Sequence, residues 1–182
     1  MSCTLLLGRK EPCKDTVGGL RAVYFTDFGD YGTVTQTDDE ITDMTGTFTA
    51  FKYELKGNSS FEQAITSSRE NGTTFFEQTL NLTLKKLSKE DNKELKLLAF
   101  GRPHVAVEDY NGNVFVMGLE HGAEVTGGTI STGAAMGDLS GYTLTLSAQE
   151  LKPANFVDSP TAADPFDAMT SATVTVTEGT NS

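Results

Sequence analysis

The alternation of apolar and polar residues is sharpest between residues 73 and 85. Phe76, Leu80, Leu82 and Leu84 fall on one side of a period of two, and Thr73, Glu77, Thr79, Asn81 and Thr83 on the other. Asn71-Gly72 precedes this stretch, and both residues tolerate the positive φ of a two-residue hairpin turn. Upstream, Phe61 and Ile65 oppose Glu62, Thr66 and Ser68. Residues 59–85 therefore predict a long antiparallel hairpin with one dry and one wet face. Residues 20–28, bounded by glycines, and 47–55, around Phe48, Phe51 and Tyr53, read as strands, with a turn at Lys56-Gly57-Asn58. Ser88 and Asp91 resemble a capping box and open a helix over 89–99, which Gly101 and Pro103 end. Strands follow at 104–109 and 114–117, joined at Asn111-Gly112. A Gly/Ala-rich connection at 127–137 then leads to a strand at 142–149.

After Lys152 the texture changes to Pro, Ala, Ser and Asp, a composition that buries little. The expectation is a core domain over 1–151 and an extended C-terminal arm over 152–182 that the core does not need. Residues 171–177 read as a strand added late or to a neighbour. The fold class is mainly β: two packed antiparallel sheets, sandwich or barrel-like, with one flanking α-helix.

Composition agrees, since Thr, Gly and Phe are abundant and Trp is absent among the 182 residues. A formal charge of −11 argues against the basic surface that duplex binding needs. No apolar run approaches a membrane span. The apolar start, Met1–Leu7, lacks a preceding cationic segment and is too short for a signal peptide, so the expected place of synthesis is a cytoplasm. Cys3 and Cys13 are too few for a zinc site; they form either a short-loop disulfide or two free thiols.

Charge is unevenly placed. No Lys or Arg lies between Arg21 and Lys52, where Asp27, Asp30, Asp38, Asp39, Glu40 and Asp43 read as a solvated acidic loop. Lys85, Lys86, Lys89, Lys93, Lys96 and Arg102 cluster around the helix. A solvated helix face explains them, and so does a basic surface meeting an acidic one in head-to-tail assembly.

Candidate chemistry is thin. His104 and His121 lack metal-pair spacing and accompany no nucleophile motif. The acidic stretch does not match a dedicated calcium loop. Carboxylate pairs such as Glu62 and Glu77 occur in any acidic β-protein. The glycines at 127–137 lack the Lys-Ser/Thr ending of a phosphate loop. No enzyme, metal or cofactor is expected.

The wet faces are distinctive in what they omit. Across 60–68, 73–83 and 143–149 the outward residues are Thr, Ser, Asn, Gln and a few Glu, with cations only at the ends, as Arg69 and Lys85. Solvent-facing strands commonly carry Lys, which discourages edge pairing. Hairpins of this kind from several copies would merge into a large barrel with a polar, weakly acidic lumen, offering no cations for phosphates to exchange against their counterions.

Three stretches resemble the tail tube (major tail) proteins of tailed bacteriophages: Glu11-Pro12-Cys13-Lys14 to Val17-Gly18-Gly19, Glu70 to Gln78, and Glu124 to Gly128 continuing through Ala135-Met136-Gly137-Asp138 to Gly141-Tyr142-Thr143-Leu144. The resemblance implies a virion structural protein whose usually hexameric rings stack into a DNA-conducting tube. It places Glu62, Thr66, Glu77, Thr79, Asn81 and Thr83 toward the lumen, and Asp30, Asp38, Asp39, Glu40 and Asp43 at the contact between rings. The implied partners are copies of itself and other tail or neck proteins, with DNA passing unbound and no membrane. The implied location is the virion tail, after synthesis in a host bacterial cytoplasm. Residues after 152 depart from the shorter pattern, and capping a neighbour and decorating the outside are both open. The rival reading is a β-sandwich carbohydrate-binding or adhesin module, which would need clustered exposed aromatics for stacking on sugar.

Overall fold

A computed structural model describes residues 7–179. It contains twelve strands and one helix. In chain order these are β1 (Leu20–Thr26), β2 (Val34–Thr37), β3 (Glu40–Met44), β4 (Thr47–Glu54), β5 (Ser60–Ser68), β6 (Thr73–Lys85), α1 (Lys89–Phe100), β7 (His104–Asp109), β8 (Val114–Met117), β9 (Glu124–Ser131), β10 (Gly141–Glu150), β11 (Asn155–Val157) and β12 (Thr173–Glu178). They form an eight-stranded sheet, β12-β4-β1-β7-β8-β11-β3-β2, and a four-stranded sheet, β5-β6-β10-β9. The fold is mainly β, with two sheets and a single helix.

The larger sheet is strongly curled. β3 and β4 stand near its opposite ends yet are linked by only Thr45-Gly46. A methyl group on Gly46 would run into the carbonyl oxygen of Asp30, so the close passage requires glycine. Curling gives the sheet an inside. One buried cluster draws Tyr24, Ile41, Met44, Phe48, Val116 and Val157 from β1, β3, β4, β8 and β11 into a single core. The other face packs on the small sheet through Val23, Phe25, Leu80, Leu82, Val107 and Leu146. The central strands β1 and β7 are therefore buried on both faces, which explains their nearly unbroken apolar runs.

Four expectations need correction. The acidic stretch at 29–45 is not a loop but includes the β2–β3 hairpin, with Asp38 and Asp39 at its turn in positive φ (52° and 65°). A bulge hides it: Thr35 pairs with Asp43 but Gln36 with Ile41, leaving Thr42 as the extra residue. Ile41 and Met44 thus both point inward, three positions apart. The glycine-rich connection is likewise partly strand, because β9 runs from Glu124 to Ser131 alongside β10. Gly128 lies so close under β10 that a Cβ there would stand 2.5 Å from the Thr143 carbonyl oxygen. The larger sheet is also mixed, with β11 parallel to β3 and β12 parallel to β4.

The fourth correction concerns the arm. Residues after 152 are integral to the fold. β11 fills the gap between β8 and β3. Phe166 and Met169 are buried inside the curled sheet, where Phe166 meets Phe48 edge-on at 5.2 Å. Ser171 bonds Asp43 through both its N–H and its hydroxyl, at 3.1 and 2.6 Å. β12 then adds to the chain's own β4. A Pro/Ala/Asp composition suggested exposure, but a few apolar residues at the correct points suffice to plug a sheet. Cys13 is exposed, and Cys3 lies outside the described residues.

Candidate functional site

The four-stranded sheet buries one face and turns the other outward. Register fixes which residues share the outer face. Glu62 pairs with Thr79, Ala64 with Glu77 and Thr66 with Phe75 across β5–β6. Gln149, Ser147, Thr145 and Thr143 pair with Glu77, Thr79, Asn81 and Thr83 across β6–β10. Thr129 pairs with Thr143, and Glu124 with Ser147, across β10–β9. All six residues assigned to the lumen, Glu62, Thr66, Glu77, Thr79, Asn81 and Thr83, therefore lie on one continuous face. Glu62 and Thr66 are exposed and the other four half-buried between neighbouring strands.

This face holds itself with cross-strand hydrogen bonds. The Thr145 hydroxyl donates to Asn81 Oδ1 at 2.9 Å, and the Thr129 and Thr143 hydroxyls share a bond of 2.7 Å. Pairs of this kind rigidify a sheet without adding charge. Its ionisable groups are Glu62, Glu77 and Glu124, with Lys85 at the end of β6 as the sole cation. The contribution of β9 went unseen in the sequence, because glycines and the bulge at Thr126 break the alternation there.

On the buried face Gln78 interrupts the apolar row. It is 1% exposed, and its Oε1 accepts the Gly118 N–H at 3.0 Å. Beyond it the β5–β6 ribbon runs clear of the body, leaving Ile65 69% exposed opposite Phe76. Both edge strands, β5 and β9, have a free side among the described residues.

The acidic residues assigned to the ring contact lie in the turn after β1 and in the β2–β3 hairpin. Asp30 is exposed in the turn after β1, Asp38 and Asp39 form the tip of the β2–β3 hairpin, and Glu40 begins β3 beside Phe156. Asp43 is engaged internally: bonds from Ser171 first, and from the Met44 N–H, hold its carboxyl below the usual range. Ser171 is the arm's anchor.

Both histidines have intramolecular partners. His104 is buried; its Nε2 accepts the Gly29 N–H at 3.0 Å and its Nδ1 lies 2.7 Å from the Gly118 carbonyl, which fixes the Nδ1-protonated tautomer. Glu120, His121 and Glu150 bring three metal-capable groups together. Glu150 is already satisfied there: Oε1 accepts the N–H groups of Glu120 and His121, and Oε2 lies 2.9 Å from His121 Nδ1. The trio closes the β8–β9 loop onto the end of β10. Among the described residues no helix is long and apolar enough to cross a membrane. No family model, no curated protein and no solved structure matches the chain.

Proposed function

We propose that this chain is the subunit of a phage tail tube, a structural and non-catalytic virion protein whose rings stack into a conduit for DNA. The observation that carries the reading is the outer face of the four-stranded sheet: in unbroken register across β5, β6 and β10, hydroxyl- and amide-rich, with three glutamates and one terminal lysine, and bounded by two strands that have no outer strand partner among the described residues. A monomer with no further role would blunt such edges with lysine, proline or a covering loop. Ile65 on β5 and Ile130 on β9 are instead 69% and 65% exposed. Both lie on the side away from the wet face, so joining β9 of one copy to β5 of the next shelters them together.

Dimensions support closure. Strands spaced about 4.8 Å apart and tilted about 40° give six four-stranded sheets a backbone diameter of roughly 48 Å, ample for a duplex. A lining with a single cation per copy, Lys85 at the end of β6, offers phosphates little to bind, so DNA slides. The wet face carries a single aromatic, half-buried Phe75. That face is a poor platform for sugar stacking. Negative-stain microscopy of the purified protein at rising concentration tests the proposal. Rings or tubes with a central hole are expected; dispersed monomers under all conditions would refute it.

A further inference from the structure

The segment before β1 and a groove at the far end of the same strand are complementary. The groove measures about 270 Å³ and is lined by Phe25, Phe28, Phe51, Tyr53, Leu97 and Leu98, with Asp27, Glu94 and Arg102 at its rim. That volume suits a few side chains and falls just under the usual range for small-molecule pockets, about 300–1,000 Å³. Its apolar lining is open to water, with Leu97 58%, Phe51 42% and Phe28 40% exposed. A helix end that exposes Leu97 and leaves Phe100 85% exposed is unusual for a surface otherwise polar.

Leu5-Leu6-Leu7-Gly8-Arg9-Lys10 has the matching chemistry: three leucines, a glycine, then two cations to meet Asp27 and Glu94. Leu7 is 93% exposed and residues 8–18 are exposed throughout, so Leu7 does not occupy the groove of its own copy. Its base is fixed at the opposite pole from the groove. Val17 bonds Asn111 in the β7–β8 turn through both its N–H and its carbonyl, at 3.0 and 2.8 Å. Leu20 pairs there with Asp109, whereas the groove lies where Thr26 pairs with His104. The length of β1, about 23 Å, separates the two ends. The ten steps from Leu7 to the fixed Val17 span about 33 Å, enough to reach a groove on a neighbouring copy.

We infer that the leucine run of one copy docks in this groove of a second copy, head to tail. The contact is heterologous, so each copy offers one arm and one groove, and the contacts run from copy to copy as a ring or a filament according to the rotation between them. It stands independently of the tube reading; within a tube it would link copies along the axis.

Cross-linking tests it in a full-length Cys3→Ser, Cys13→Ser background. One preparation carries Leu7→Cys and a second, of different mass, carries Leu97→Cys; they are mixed and oxidised. The expected result is a disulfide-linked heterodimer at least tenfold more abundant than with Thr66→Cys as the partner. Equal yields would overturn the inference, and so would a chain carrying both cysteines that links only within itself at every concentration. Independently, Leu97→Asp at this exposed position should leave the melting transition in place and weaken self-association at least tenfold; unchanged association would overturn the inference. Holed rings without the Leu7–Leu97 link would sink this contact alone, and the link without rings would sink the tube alone.

Discussion

Around His104 a column of stacked groups ties the loop after β1 to the end of α1. The Arg102 guanidinium lies 3.9 Å above the Phe28 ring, Phe28 stacks on His104 at 4.9 Å, and His104 on Tyr31 at 4.5 Å. Burial holds the His104 imidazole below its usual range, against the pull of the Gly118 carbonyl. Its neutral form is thus favoured in the folded chain, and the unfolded chain takes up the proton first as pH falls. The stability it contributes is present above pH about 6.5 and is lost as the pH drops below that value. His121 runs the other way: its bond to Glu150 raises its affinity for the proton, so its contribution is present below pH about 6.5 and lost as pH rises. In a His121→Gln background, denaturant midpoints should fall from pH 7.5 to 5, and His104→Leu should flatten that slope while lowering stability at pH 7.5. An equal slope with and without His104 would contradict this account. The role of His104 was invisible in the sequence, where it is one histidine before a strand; the rings that sandwich it, Phe28 and Tyr31, come from the segment after β1.

Among elements, legibility followed regularity. β6 and β10 keep a clear alternation broken in β6 only at Phe75 and Gln78, and both hairpin turns, Asn71-Gly72 and Asn111-Gly112, join the strands they were expected to join. Helix α1 begins at Ser88, whose hydroxyl accepts the Asp91 N–H at 3.0 Å. The six lumen-assigned residues fell on one face because the register of a hairpin follows from its turn. β3 and β9 were hidden by single extra residues, Thr42 and Thr126, each of which flips the side-chain order midway. β2–β3 was further disguised by turn residues that carry charge rather than glycine. Two non-glycine residues in the left-handed region cost about 1 kcal/mol or more each. Asp38→Asn with Asp39→Gly should therefore raise stability by roughly 1 kcal/mol, measured as a denaturant midpoint shift at constant slope. A loss of stability would show that the aspartates do something else for the fold.

For the whole molecule, the arm and the open sheet carry the main consequences. The arm's short apolar anchors lie far in sequence from the strands they join, so periodicity could not reveal them. Deleting residues 153–182 removes Val157, Phe166 and Met169 from the inner core and detaches β2–β3 from β8. Buried side chains of this size contribute about 2–5 kcal/mol each, as much as a domain's whole stability when summed. Loss of the cooperative thermal transition is expected, and a truncated chain that melts as sharply as the full one would contradict the two-core description.

The claim on which the tube reading depends is that the face bearing Thr79 and Thr145 encloses a passage between copies. Labelling tests it most directly. With Cys3→Ser and Cys13→Ser in place, a Thr79→Cys chain is coupled to a maleimide-gold cluster, assembled with unlabelled chain and imaged end-on. Gold in the central hole is the predicted result. Gold on the outer rim would place this face outside and contradict the account.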